Sequence, residues 1–457
     1  MKPQLAIKVL IWAYLVLLIF EGSLRKWIVP GLSGPLLIIR DPVVVAIYMA
    51  AASNRVFPQN GAMVVLGVLS AVSAIFAMVF GHGNLGVMLF GLHVNYLHVP
   101  LIWIMGSVLT RRDLLWIGIF LMVIAIPNTT LMVEQYNAPF DAKINWGAGG
   151  EGTEQLSGTD GHIRPPGFFT FITGPAAFYP IVAAFIIYAL LGKMQLVRIV
   201  AIGAAIATAL AIPVSISRSV MLGVGIVGVT GAICAVISGK IAGNVIKIGV
   251  LVAVLAIIVP SIGVFDEALG TFTKRWDDST SDVKTDIGGR WALGFLEVFD
   301  FLDSAPFFGF GIGMGTNAAL GLTSGQRGYS PAESEWGRIA GELGPVVGVI
   351  YLGFRCWLTW SLWVAAWRAW RKYADSLALL ILSAVGLNVI NGQWGPPTQL
   401  GFAIFGAGLV LAAAKSAEET EVLPGAVDVP APTVETRRRI PTQLGERPPS
   451  VLKPLRR

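Results

Sequence analysis

The residue types best suited to chemistry in this chain are Arg164, Arg218, Arg290, Glu333, Glu335, Arg338 and Glu342, all set against long apolar runs. The densest group is ESEWGRIAGELG, residues 333–344, with three carboxylates and one arginine. An ionisable group at membrane depth is a functional candidate by default. A fixed guanidinium can clamp a diphosphate through paired hydrogen bonds, and a carboxylate can take the proton of an attacking hydroxyl. Plainer readings stand beside these. Glu335 and Arg338 are three apart and Arg338 and Glu342 four apart, so on a helix they share a face and form a self-neutralising ladder. Arg218, in the short PVSISRSVMLG turn, can snorkel to headgroups, and Arg290, in IGGRW, can be an ordinary loop charge. Glu333 fits the ladder less well, because it lies one turn earlier.

The elements that must position these groups are set by composition. The chain is 55% hydrophobic and 13% charged, with a mean hydropathy of +0.71, well outside the soluble globular range. Its apolar blocks reach the roughly 20 helical residues that span a bilayer core. They lie near 5–20, 36–52, 61–80, 85–109, 114–133, 168–191, 196–213, 219–238, 244–262, 339–363, 375–391 and 398–414. The predicted fold class is an all-α polytopic membrane protein of about twelve transmembrane helices, with no alternating β-barrel segments. It divides into nine spans over 1–262, a large extracytoplasmic loop over 263–335, three spans over 336–414 and a disordered Pro-rich tail over 415–457.

Charge placement predicts the orientation. Arg55, Arg111, Arg112, Lys193, Arg198, Lys240, Lys247, Arg368, Arg371 and Lys372 fall on the side of the N-terminus, as do the tail arginines. The short loops 81–84 and 391–397 carry no Lys or Arg, so the positive-inside rule makes both termini cytoplasmic. The first apolar run lacks a small-residue cleavage site and is read as a retained helix. The net charge of +6 then reflects topology, and no aromatic-basic pattern suggests nucleic acid. Cys234 and Cys356 both sit in apolar spans and imply neither a disulfide nor a metal site.

Loops and irregular stretches add detail. The 134–167 loop is polar and Gly-rich and reads as mobile, with Arg164–Gly167 (RPPG) stiffening its return. GGRWALGFLEVFDFL, residues 288–302, places Trp291, Phe295 and Val298 or Phe299 on one face and predicts a short amphipathic helix on the membrane surface. Gly309, Gly311, Gly313 and Gly315 form either a tight loop or a set of bare backbone N–H groups that approach a phosphate or glycan. A helix should follow Pro331, capped by Ser330 or Ser334. Gly337, Gly341, Gly344 and Gly348 form a small-residue stripe for another helix. Arg40–Asp41–Pro42 reads as a kink whose charges need separate partners. His93 and His98, five apart, read as packed or water-facing rather than as metal ligands, and His162 has no visible partner. No internal repeat is evident, which disfavours many transporter folds.

Together these patterns resemble the O-antigen ligase and polymerase superfamily of bacterial envelope glycosyltransferases. RPPGFFTFITGP at 164–175 is similar to its Arg…Gly-Thr-Phe segment, and SISRS at 215–219 to its Ser-Arg turn. GGRW with PFFGFGIGMG is similar to its Arg-Trp…Gly-x-Gly-x-Gly block. In the family's His-Asn-x-Tyr-Leu…Glu-x-Gly motif, Trp336 falls on Tyr, Glu342 on Glu and Gly344 on Gly, but Glu333 and Ser334 replace His and Asn. The resemblance implies an inverting-type transfer or polymerisation of a polyprenyl-diphosphate-linked glycan at the outer face of the bacterial inner membrane. Loss of the ligase His leans it toward polymerase. Arg218 and Arg290 would bind the diphosphate and Glu333 would act as base. Arg164, Trp291, Glu335, Arg338 and Glu342 would contact substrate, without a cofactor or metal. The implied partners are the lipid-linked glycan, an acceptor glycan or lipid, membrane lipids and other polysaccharide-assembly proteins. A transporter of lipid-linked or free polysaccharide is the rival class.

Overall fold

The computed structural model describes residues 2–153, 155–158, 161–193, 197–237, 267–273, 295–299, 305–316, 319 and 334–422. Arg290, Trp291, Glu333, the expected span at 244–262 and the tail beyond 422 lie outside these residues. Among the described residues regular structure is helical, with only isolated β-bridges at Gly147–Gly150 and Ser157–Ile163.

The helices are α1 (Lys2–Ser23), α2 (Asp41–Ser53), α3 (Gly61–Val79), α4 (Leu85–Leu92), α5 (Leu101–Val108), α6 (Arg111–Asn137), α7 (Thr173–Tyr188), α8 (Arg198–Val214), α9 (Arg218–Ile237), α10 (Glu335–Tyr373), α11 (Leu377–Asn391) and α12 (Pro397–Val422). Nine helical segments among the described residues are long and apolar enough to cross a membrane, and Arg198–Val214 and Leu377–Asn391 are shorter apolar helices. Between them they account for every expected span except the one at 244–262. The chain is thus an α-helical protein built for a bilayer.

Local sequence sets the helix starts. Asn60 and Asn84 accept backbone N–H groups at the starts of α3 and α4, and Thr110 with Asp113 closes a capping box on α6. Side-chain oxygens there satisfy donors that no preceding turn can reach. At the bundle centre, residues 401–410 of α12 are all buried. Close approach is arranged by small residues: a Cβ on Gly408 would sit 2.7 Å from the Met105 sulfur, and one on Gly106 would sit 2.8 Å from Leu411 Cβ. At the basic end, Lys8 pairs with Asp113 at 2.5 Å and Arg111 with Asp375 at 2.6 Å.

Three expectations are corrected. First, the span expected at 339–363 is not one rod. Gly344 has φ +72 and ψ 175 inside α10, and a Cβ on Gly348 would lie 3.3 Å from Ala340 Cα. Residues eight apart on a straight helix are about 12 Å apart along its axis, so the chain reverses at Gly344 and Pro345 starts the second arm. Of the glycine stripe, Gly348 therefore packs on the first arm of α10 itself, while Gly344 lies against residues 307–309.

Second, the described residues of the 134–167 segment form a folded cap. Gly149 N donates to Arg25 O at 3.2 Å, Trp27 Nε1 donates to Lys143 O at 3.0 Å, and Lys26 Nζ donates to Gly167 O at 2.6 Å. His162 stacks on Tyr136, with centroids 4.1 Å apart. Polar, Gly-rich composition does not mean mobility here, because its polar groups find partners on the turn 24–28 after α1 and on α6 instead of water. Third, α12 continues to Val422, past the expected end at 414.

Candidate functional site

The opening motif folds as a closed charge cluster. Ser334 caps α10 by accepting from Gly337 N at 3.1 Å. Arg338 donates to both oxygens of Glu335, at 3.0 and 2.8 Å, to Glu342 Oε2 at 2.8 Å and to Asn95 Oδ1 at 3.0 Å. Arg355 crosses from the second arm to Glu335 Oε1 at 2.8 Å. Its other nitrogens donate to the carbonyls of Val389, at 2.9 Å, and Gly392, at 2.9 Å. Its guanidinium also stacks 4.0 Å from the Trp394 ring centre. A cation there satisfies open carbonyls at the C-terminus of α11 and complements the helix dipole.

The glycine run completes the cluster. Gly309, Gly311 and Gly313 have φ of +73, +99 and +96, values that only glycine takes without strain. This lets Gly313 N and Gly315 N reach the Glu342 carboxylate at 3.0 and 2.8 Å. The loop's bare N–H groups thus hold an anion, but the anion is Glu342 itself. Two guanidiniums and two carboxylates share this buried, neutral cluster, and Glu335, Arg338 and Glu342 are each at most 6% exposed. Of the residues expected to contact substrate, Glu335, Arg338 and Glu342 thus form the ladder that their spacing allows, bonded to one another and to the loop amides. Arg355 escaped the sequence reading, although a lone arginine inside GFRCWL was itself a signal that a buried partner must exist.

The remaining candidates separate. Arg218 opens α9 directly after the 215–217 turn, where Ile216 has φ +46. Arg164 lies in the capping segment, its N–H bonded to Leu156 O at 3.0 Å. Of the expected surface helix, residues 295–299 are described and helical, with Val298 buried. Phe295 packs on Trp336 at 4.6 Å between ring centres, and Glu297 accepts from Ser334 N at 2.8 Å. Arg40 and Asp41 do have separate partners. Arg40 pairs with Glu21 at 3.1 Å and donates to Tyr14 Oη at 3.1 Å, while Asp41 meets His93 and His98.

A cavity of about 300 Å³ lies between α7, α9, α11 and the turn leading into the first residues of α12. Its polar wall is formed by Thr173, Ser219, Asn388, Asn391, Gln393 and Gln399. Asn391 Oδ1 and Gln399 Oε1 are buried and have no hydrogen-bond partner. Buried acceptors left open cost about 1–3 kcal/mol each, so this wall is suited to a ligand rich in hydroxyl donors. Arg218 precedes Ser219 in the chain and stands at the same end of the bundle. No protein-family model, no curated protein and no solved structure matches the chain.

Proposed function

We propose that the chain is a membrane glycosyltransferase that uses a polyprenyl-diphosphate-linked glycan on the outer face of the bacterial inner membrane, as a polymerase rather than a ligase. The observation that carries this reading is the amide-lined cavity with two open buried acceptors, next to the helix start that bears Arg218. With the basic end in the cytoplasm, that cavity faces outward. The glycan's hydroxyls donate to Asn391 and Gln399. The Arg218 guanidinium, with Arg290 as second cation, neutralises the diphosphate. An acceptor hydroxyl attacks the anomeric carbon with inversion; the new C–O bond forms as the bond to the diphosphate breaks. The diphosphate leaves with the electron pair, and the hydroxyl proton passes to Glu333.

The test is incubation of the purified protein with a polyprenyl-diphosphate oligosaccharide and its acceptor. Arg218→Ala should abolish elongated product, Asn391→Leu with Gln399→Leu should lower it, and the exposed Arg368→Ala should retain it. Arg40→Ala is unsuitable as a control, because Arg40 is 1% exposed and bound into the core. Equal product from Arg218→Ala and Arg368→Ala would overturn the assignment. A transporter reading draws support from the reversal at Gly344 and the short helices α8 and α11, since transporters line their sites with broken helices. It predicts movement of glycan across proteoliposomes with no new glycosidic bond.

A further inference from the structure

On an α-helix, residues five apart point about 140° away from each other, which makes His93 and His98 look unrelated in sequence. Here His93–Leu97 forms a π-helical turn. Winding with i→i+5 hydrogen bonds brings residues five apart back toward one side, and the two rings lie 5.3 Å apart. Asp41, the first residue of α2, enters between them. Its Oδ2 is 2.7 Å from His93 Nδ1 and its Oδ1 is 3.1 Å from His98 Nε2. The ligand atoms of all three residues lie within 4.8 Å of one another.

His93 is the informative member. It is 7% exposed, and neither ring nitrogen makes a hydrogen bond. Its Nδ1 lies close to the carboxylate but off the line of an N–H···O bond. A misaligned imidazole N–H beside a carboxylate forgoes a charge-assisted bond. A nitrogen lone pair and a carboxylate oxygen directed at a shared point are what a coordinated cation needs. We propose that Asp41, His93 and His98 bind one divalent transition-metal ion through an Asp41 oxygen, a His93 nitrogen and His98 Nε2. Two imidazoles and a carboxylate suit zinc and its neighbours in the first transition row.

The surroundings supply the outer shell. His98 Nδ1 is 3.1 Å from Tyr14 Oη. That oxygen accepts from Arg40 Nη1 at 3.1 Å, and Arg40 Nε donates to Glu21 at 3.1 Å. Coordination at Nε2 needs only the neutral tautomer of His98 with its proton on Nδ1, facing Tyr14, and such outer hydrogen bonds fix metal-binding rings. Glu21 offsets the Arg40 charge and leaves the Asp41 carboxylate to the ion. A cavity of about 550 Å³, lined by Asp41, Tyr48, Ser70, His93 and Tyr96, gives an approach and space for a water ligand. This site draws on the start of α2 and on the π turn with the residue after it, not on the walls of the amide-lined cavity, so either proposal can fail without the other.

The test uses full-length protein in detergent, stripped with chelator and dialysed against Zn²⁺ or Co²⁺. Elemental analysis should find about one ion per chain in wild type and in His162→Ala. Occupancy should fall roughly tenfold or more in His93→Ala and Asp41→Ala. X-ray absorption of the zinc-loaded wild type should give imidazole nitrogens at about 2.0–2.1 Å, which reads the site even if a variant misfolds. Wild type that holds neither ion, variants that hold as much as wild type, or a zinc shell without imidazole would each overturn the proposal.

Discussion

Glu335→Gln tests the charge cluster most directly. Glu335 accepts two hydrogen bonds from Arg338 and one from Arg355, and its side chain is 1% exposed. The amide keeps the shape but turns the neutral cluster into one with an uncompensated positive charge, and it aims an N–H at a guanidinium. Removing one partner of a buried pair costs about 3–5 kcal/mol, a large part of the 5–15 kcal/mol that holds a typical native state together. Arg355→Met alone should cost a similar amount. Glu335→Gln with Arg355→Met restores neutrality, leaving Arg338 with Glu342. It also leaves the carbonyls of Val389 and Gly392 without their donor, about 1–3 kcal/mol each. The double variant should therefore lose clearly less than the two singles combined, with a coupling of about 2 kcal/mol. Reversible unfolding in mixed micelles gives the three free energies. Additivity within about 0.5 kcal/mol, or a Glu335→Gln loss below about 1 kcal/mol, would refute the closed cluster.

Gly344→Ala should destabilise by about 1–3 kcal/mol from its left-handed φ alone, and by more because the new Cβ would sit 2.5 Å from Phe307 O; thermal unfolding and protease susceptibility at 305–316 read this. An unchanged melting temperature would show that the reversal is not fixed at that residue. Tyr179→Phe should cost about 1–3 kcal/mol, because the Tyr179 hydroxyl takes Asn128 Nδ2 at 3.0 Å and meets Thr129 Oγ1 at 2.6 Å inside the core. A loss near zero in the same unfolding assay would mean that Asn128 finds another acceptor.

The sequence alone determined what depends on composition and on short helical spacing. Apolar blocks of bilayer length located the described spans, since burying backbone polar groups in lipid leaves helices as the economical solution. The spacing of Glu335, Arg338 and Glu342 gave their pairing, and Ser334 its role as cap, because both follow from one turn of helix. What spacing cannot carry is a partner from another element. Arg355 lies twenty residues from Glu335 and would be about 30 Å away on a straight helix; they meet only because the chain turns back at Gly344. Glu21 meets Arg40, and Asn95 meets Arg338, across helices whose register no local pattern encodes. His93 and His98, five apart, converge on Asp41 only because a π turn winds differently from a 3.6-residue helix. The glycines of 309–313 announced a tight loop, but only the tertiary fold decided that the anion in its grasp is Glu342, because an N–H binds whichever negative group packing delivers to it.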